Sequence, residues 1–149
     1  MKTTLKLIVI TTLAVLVSLN GICQLPTVQA TSQGWAGGVC CRSGINYSVT
    51  LTGKKGTLDD FKVSSVCIGG LQFESAQINV RITDAGDKTI VYLHMGTSHN
   101  DTEYRPDGIK EETFKQGTCS DMQVNYSTGR KRQTVIIEKV DELEFLAYP

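Results

Sequence analysis

Apolar and polar residues alternate most cleanly over Ile45-Asn46-Tyr47-Ser48-Val49-Thr50-Leu51-Thr52. Ile45, Tyr47, Val49 and Leu51 fall on one side, and Asn46, Ser48, Thr50 and Thr52 on the other. A period of two, rich in β-branched residues, predicts a strand with one buried and one wet face. The same period predicts strands over Phe61 to Ile68, with Phe61, Val63 and Cys67 in phase, and over Ala76 to Thr83, with Ile78, Val80 and Ile82 in phase. Further strands are predicted at Thr89 to Met95, Asp121 to Tyr126, Gln133 to Val140 and Glu142 to Tyr148, with a short continuation at Leu71 to Phe73. Turn residues separate them at Gly53-Lys54-Lys55-Gly56, Gly69-Gly70, Asp84-Ala85-Gly86-Asp87 and Ser127-Thr128-Gly129-Arg130. Gly96 to Gly117 is the longest stretch without pattern, and within it Lys110 to Lys115 suits a helical turn or a short strand. Seven to nine short strands predict an all-β fold, a single antiparallel β-sandwich of immunoglobulin-like or jelly-roll-like type. Long amphipathic helices are missing from the pattern, which argues against a parallel α/β sheet.

The start of the chain follows a different pattern. Met1 to Lys6 is basic through Lys2 and Lys6. Leu7 to Val17 is apolar apart from Thr11 and Thr12, and Ser18 to Cys23 is looser, with small residues. That is the layout of a secretory signal peptide. The apolar run is too short for a membrane span, which needs about 20 residues. The expected location is therefore secreted or periplasmic, with no transmembrane segment in the mature chain. Cleavage after Cys23 sets Gly21 and Cys23 at the small-residue positions. Cleavage after Ala30 would use Val28 and Ala30, far from the apolar run. A lipid anchor at Cys23 is a third reading, disfavoured because Ile22 stands where a small residue normally precedes such a cysteine. The expected organisation is a signal at 1–23, a flexible lead-in at 24–33 and a β-domain at 34–149.

Export changes how the cysteines read. Removing 1–23 leaves Cys40, Cys41, Cys67 and Cys119, an even number in an oxidising compartment, which predicts disulfides. Adjacent residues of a strand point to opposite faces, so Cys40 and Cys41 are expected to bridge separately, one to Cys67 and the other to Cys119. The phase of Cys67 with Phe61 and Val63 places one bridge in the core. Removing the signal also removes two lysines and no acid, leaving 13 basic and 15 acidic residues. Such a near-neutral chain is unsuited to general nucleic-acid binding, which works by phosphate neutralisation. The one basic cluster, Arg130-Lys131-Arg132 beside Gly129, reads as a solvated hairpin loop.

Candidate chemistry is sparse. His94 and His99, with Cys119 and Met122, supply the side-chain types of a copper site, but a copper thiolate must compete with disulfide formation. Cys119 with His94 or His99 and Asp121 supplies a nucleophile set, and oxidation of the cysteine would remove it. Asp59-Asp60 and Glu111-Glu112 read as solvated acids. Asp84, Asp87 and Asn100-Asp101-Glu103 match no EF-hand loop, and there is neither an HExxH motif nor a zinc CxxC pair. Three N-glycosylation sequons begin at Asn46, Asn100 and Asn125. Trp35, set among glycines in Gly34-Trp35-Ala36-Gly37-Gly38, has two readings: a plug at one end of the core, which is preferred, or a ligand-stacking platform.

The run from Gly34 to Tyr47, with its W-x-G-G, its Ser43-Gly44 and its Asn46-Tyr47 strand opening, resembles small exported bacterial β-rich proteins of uncharacterised function. Ser65-Val66-Cys67-Ile68-Gly69-Gly70 is similar to a second segment of such proteins. The resemblance implies export and a β-rich fold, and brings no activity. The expectation is an exported, non-catalytic binding or structural module without a cofactor, its partner a protein or a glycan. The alternatives are a periplasmic copper-type metal-binding protein using His94 and His99, and a small hydrolase.

Overall fold

A computed structural model describes residues 25–37, 42–100 and 117–148, at 99 and 100 the backbone only. The described chain is nearly all strand. In order these are β1 (Thr27–Gly37), β2 (Arg42–Lys54), β3 (Phe61–Ile68), β4 (Leu71–Glu74), β5 (Asn79–Ala85), β6 (Lys88–Asn100), β7 (Gly117–Thr118), β8 (Gln123–Thr128), β9 (Lys131–Ile136), β10 (Val140–Glu142) and β11 (Leu146–Ala147). One 3-10 turn, Ser75–Gln77, precedes β5. The strands form two sheets. The first runs β10-β1-β2-β6-β5, with β11 also on the outer edge of β1; the second runs β7-β4-β3-β8-β9. Every pairing is antiparallel except those of β10 and β11 with β1.

The alternation in β2 sets the frame. Tyr47, Val49 and Leu51 are buried, while Ser48 and Thr50 between them are only partly covered. Register carries this phase to both neighbours. Val49 faces Ala30 of β1 and Leu93 of β6, and Leu51 faces Val91, and Ala30, Leu93 and Val91 are all buried. From the second sheet Phe61, Val66, Ile68, Phe73, Val124, Tyr126 and Val135 join the same core cluster. Tyr47 meets Phe73 edge-to-face at 5.9 Å between ring centroids, and Phe61 stacks on Tyr126 at 5.0 Å. These contacts are the dispersion and burial that hold such a core together.

Four sequence expectations need correction. Residues 24–33 are not a lead-in throughout, because Thr27 onward belongs to β1 and pairs with β2 along its full length. The inward side chains of β1 are as small as Ala30, so its alternation carries little hydrophobic contrast. The Gly96 to Gly117 stretch is not all irregular, because β6 continues to Asn100, paired with Arg42. Among the described residues the strands number eleven rather than seven to nine, since three of them have only two or three residues. Val80 and Ile82 share a face as expected, yet they are 37% and 48% exposed. Among the described residues β5 is an outermost strand, paired only with β6.

The cysteine pairing is the fourth correction. Cys67 is bonded to Cys119, Cα atoms 6.1 Å apart, so neither bridges to Cys40 or Cys41, which lie outside the described residues. Topology explains the pair. β3 turns at Gly69 and Gly70, both at positive φ, into β4, and β4 carries β7 on its far side. The chain leaving β7 then passes the turn, where the Cys119 N–H donates to the Gly70 carbonyl (3.2 Å). That brings it within reach of Cys67. The bridge is also not in the core. The register of β3 against β8 slips between Val63 and Ser65. A bulge of this kind moves the buried phase by one residue, so Val66 and Ile68 replace Cys67 on the inner face. Cys67 is covered on the other face, 5% exposed, outside the main cluster.

Candidate binding face

The outer face of the first sheet has an unusual chemistry for its size. The inward phase of Ala30, Val49 and Leu93 leaves the alternate residues outward. Register then stacks them in rows across β1, β2 and β6: Thr27-Thr52-Ile90, Gln29-Thr50-Tyr92, Thr31-Ser48-His94, Gln33-Asn46-Gly96 and Trp35-Gly44-Ser98. None of these positions holds Asp, Glu, Lys or Arg, although a fifth of the whole chain is charged. Among the described residues formal charges are confined to the margins: Arg42 at one end, Lys54 and Lys88 at the other, Arg81 on β5 and Asp141 on β10. A solvated sheet face normally carries its share of charge, so this neutral, hydrogen-bonding strip is a feature to be explained.

The strip has relief. Its last two rows contain Gly96 and Gly44, where no side chain rises from the sheet. At Gly44 the gap is filled by Trp35, whose ring would lie 2.9 Å from an added Cβ. Gly44 is buried in consequence, and Trp35 itself is half-buried. At Gly96 an added Cβ would come within 2.9 Å of Asn46 Oδ1. An open depression of about 490 Å³ lies here, lined by Gln33, Asn46, Ser48, Gln77, His94 and Gly96 among others. Ser48 Oγ and His94 Nδ1 share a hydrogen bond of 2.9 Å, which holds both side chains along the floor. Gln33 Nε2 donates to the Glu144 carbonyl (2.9 Å), so the segment joining β10 to β11 fixes the rim.

Trp35 therefore does not plug the core. It is absent from the core cluster and lies on the outer side of β1, across the strand from Gly44 and beside Leu146. The glycines do allow close approach, as expected, but of an outward ring to the neighbouring backbone. A larger depression of about 690 Å³ runs between the start of β1 and the Thr134 to Asp141 segment. Its charged pair, Lys139 and Asp141, forms a salt bridge, and the bond to Asp141 raises the Lys139 pKa.

The chemistry sought in the sequence is not assembled among the described residues. Cys119 is committed to its disulfide, so it provides neither a copper thiolate nor a nucleophile, and a hydrolase built on Cys119 and Asp121 loses its attacking group. His94 is exposed on the outer face, hydrogen-bonded to Ser48, and His99 lies five residues further along the same strand, its backbone paired with Ser43. Among the described residues no three of His, Cys, Asp or Glu come close enough together to hold a metal. Asp84 accepts a hydrogen bond from Thr89 (2.8 Å), which gives that carboxylate a structural role. Asp59 and Asp60 sit in the turn between β2 and β3, with Asp60 left-handed at φ 52°. Glu111 and Glu112 lie outside the described residues. The Arg130 to Arg132 cluster is an exposed hairpin turn, as the sequence implies. Asn46 is exposed on the strip, whereas Asn125 is tied to Ser65 and Thr134 on the second sheet.

The residues that sequence reading missed are Gln33, Tyr92, Gly44 and Gly96. The neutral outward half of β2 was visible. The signal in β1 was a repeated uncharged polar residue at Thr27, Gln29, Thr31 and Gln33. What the sequence lacked was the pairing that sets these strands side by side. No family model, curated protein or solved structure matches this chain. Among the described residues no helix is long and apolar enough to cross a membrane.

Proposed function

We propose that the chain is an exported, non-catalytic binding module whose two sheets form one antiparallel β-sandwich, with the outer face of the first sheet as its working surface. The observation that carries this reading is the uncharged strip across β1, β2 and β6, bounded by charge on every side. A sandwich is supported by the buried residues of both sheets falling in one cluster. Export is supported by the basic, apolar and small-residue layout of the first 23 residues and by a disulfide among the remaining cysteines. The preferred cleavage after Cys23 gains support from Ala30, which is 3% exposed in the middle of a paired strand. A cut there would remove the first four residues of β1. The reading predicts that the immobilised wild-type chain retains material from a cell-envelope extract. His94→Glu with Thr50→Glu, which place charge on the strip without touching the core, should abolish that retention. Equal retention by both proteins would contradict the assignment.

A further inference from the structure

We infer that the strip receives a neutral oligosaccharide, laid across the glycine rows with a sugar ring against Trp35; this rests on the binding-module reading and gives its ligand class. Three features of the strip converge on that chemistry. The first is the absence of charge. A nucleic acid or an acidic polymer would need cations along its path, and here the cations among the described residues stand only at the margins. A protein partner would favour a larger apolar centre, because interface cores are enriched in aromatic and apolar residues. The second is the donor and acceptor set. Gln33 and Asn46 are amides that both donate and accept, and Ser48 and His94 can do either. A polyhydroxylated ligand, whose every hydroxyl is donor and acceptor together, is matched by groups of this kind.

The third is shape. Gly96 leaves an open lane at the depression, and the Trp35 ring fills the neighbouring gap at Gly44 as one half-buried aromatic surface. The Trp35 ring rests on backbone, which holds it against the sheet, and an aromatic face offers the apolar C–H side of a sugar a partner as it offers one to other rings and cations. An alanine at Gly96 would narrow the lane next to Asn46. At Gly44 it would collide with the Trp35 ring and the Thr97 carbonyl, so Gly44 supports the platform while Gly96 forms the floor.

Trp35 is the only tryptophan of the chain, so intrinsic fluorescence reports on this face alone. The purified chain is titrated with oligosaccharides from hydrolysed β-glucan, xylan, mannan and chitin, with retardation in native gels containing the parent polysaccharides as a second readout. The expected result is a saturable change in emission with at least one of these. Asn46→Ala and Gly96→Val should weaken it about tenfold, the scale of losing a central contact. Trp35→Phe, which keeps a ring, should keep gel retardation better than Trp35→Ala, and Lys131→Ala on the second sheet should leave both readouts unchanged. Retardation that survives Asn46→Ala and Gly96→Val in folded protein overturns the site. No response to any of the four, with polypeptides captured from an envelope extract instead, overturns the glycan class while leaving a binding module. No response and no capture overturns both.

Discussion

At the scale of single residues, phase decides what each side chain does. Leu51 is fully buried and Ser48, three positions earlier, is outward. Leu51→Ala should therefore lower unfolding free energy by about 2–5 kcal/mol, the usual range for truncating a buried leucine. Ser48→Ala loses only its bond to His94 and should cost under about 1 kcal/mol. Denaturant midpoints at constant m-value give both, and equal losses would mean that the phase of β2 is misassigned. Tyr47 adds a pH dependence. Burial raises its phenol pKa above the usual 10.0, so the folded chain holds this proton more tightly than the unfolded chain. The resulting stability is complete below about pH 10 and is lost as pH rises through the folded value. Tyr47→Phe should show a smaller loss of melting temperature above pH 10 than wild type. An identical decline in both would show that Tyr47 does not contribute. The phase of β2 was legible in the sequence because large apolar and small polar residues alternate without interruption. That of Trp35 was not, since a ring among glycines packs equally well on either side of a strand until its neighbour, Gly44, is known.

Single strands were legible where both faces differ strongly in polarity, and illegible where they do not. β2 and the first part of β6 meet that condition; β1 and the end of β6 do not, because Ala30, Ser32, Gly96 and Ser98 give weak contrast. The bulge at Val63 to Ser65 is a local event that no periodicity announces, and it alone defeats the placement of Cys67 in the core. The disulfide escaped for a related reason. Cys67 and Cys119 are 52 residues apart in sequence and meet only because β4 carries β7 alongside the β3–β4 turn. Peptide mapping of unreduced protein should find the Cys67–Cys119 peptide. Replacing both cysteines by serine should lower stability by about 4 kcal/mol on the chain-entropy account of a loop this long. A Cys67 peptide linked instead to Cys40 or Cys41 would contradict the arrangement of the second sheet. Gly44→Ala should destabilise the β1–β2–β6 junction and shift the tryptophan emission together, since the same methyl meets both the Thr97 carbonyl and Trp35. A shift in neither would mean that the ring does not rest there.

For the whole molecule, the sequence supplied fold class and the wet half of one strand, while the face itself emerged only from the order of the sheet. β1 and β6 flank β2, and that arrangement joins three separate uncharged half-strands into one surface with charge at its margins. The Cys67–Cys119 disulfide belongs to the other sheet, so this staple and the proposed binding face are built on different sheets. The N-terminus of protein recovered from its host should be Gln24, and recovery of chains beginning at Thr31 would mean that the first four residues of β1, with Thr27 and Gln29 of the strip, are lost. In the proposed function this face binds its ligand and does not transform it. The most direct measurement is an amide-resolved NMR map of the labelled chain before and after addition of a solubilised cell-envelope fraction, followed over hours. Shifts should be confined to Gln33–Trp35, Gly44–Thr50 and Tyr92–Gly96 and constant with time, with quiet amides around Cys67, Cys119 and β9. Shifts centred on the second sheet, or signals of the added material that change progressively as it is consumed, would contradict it.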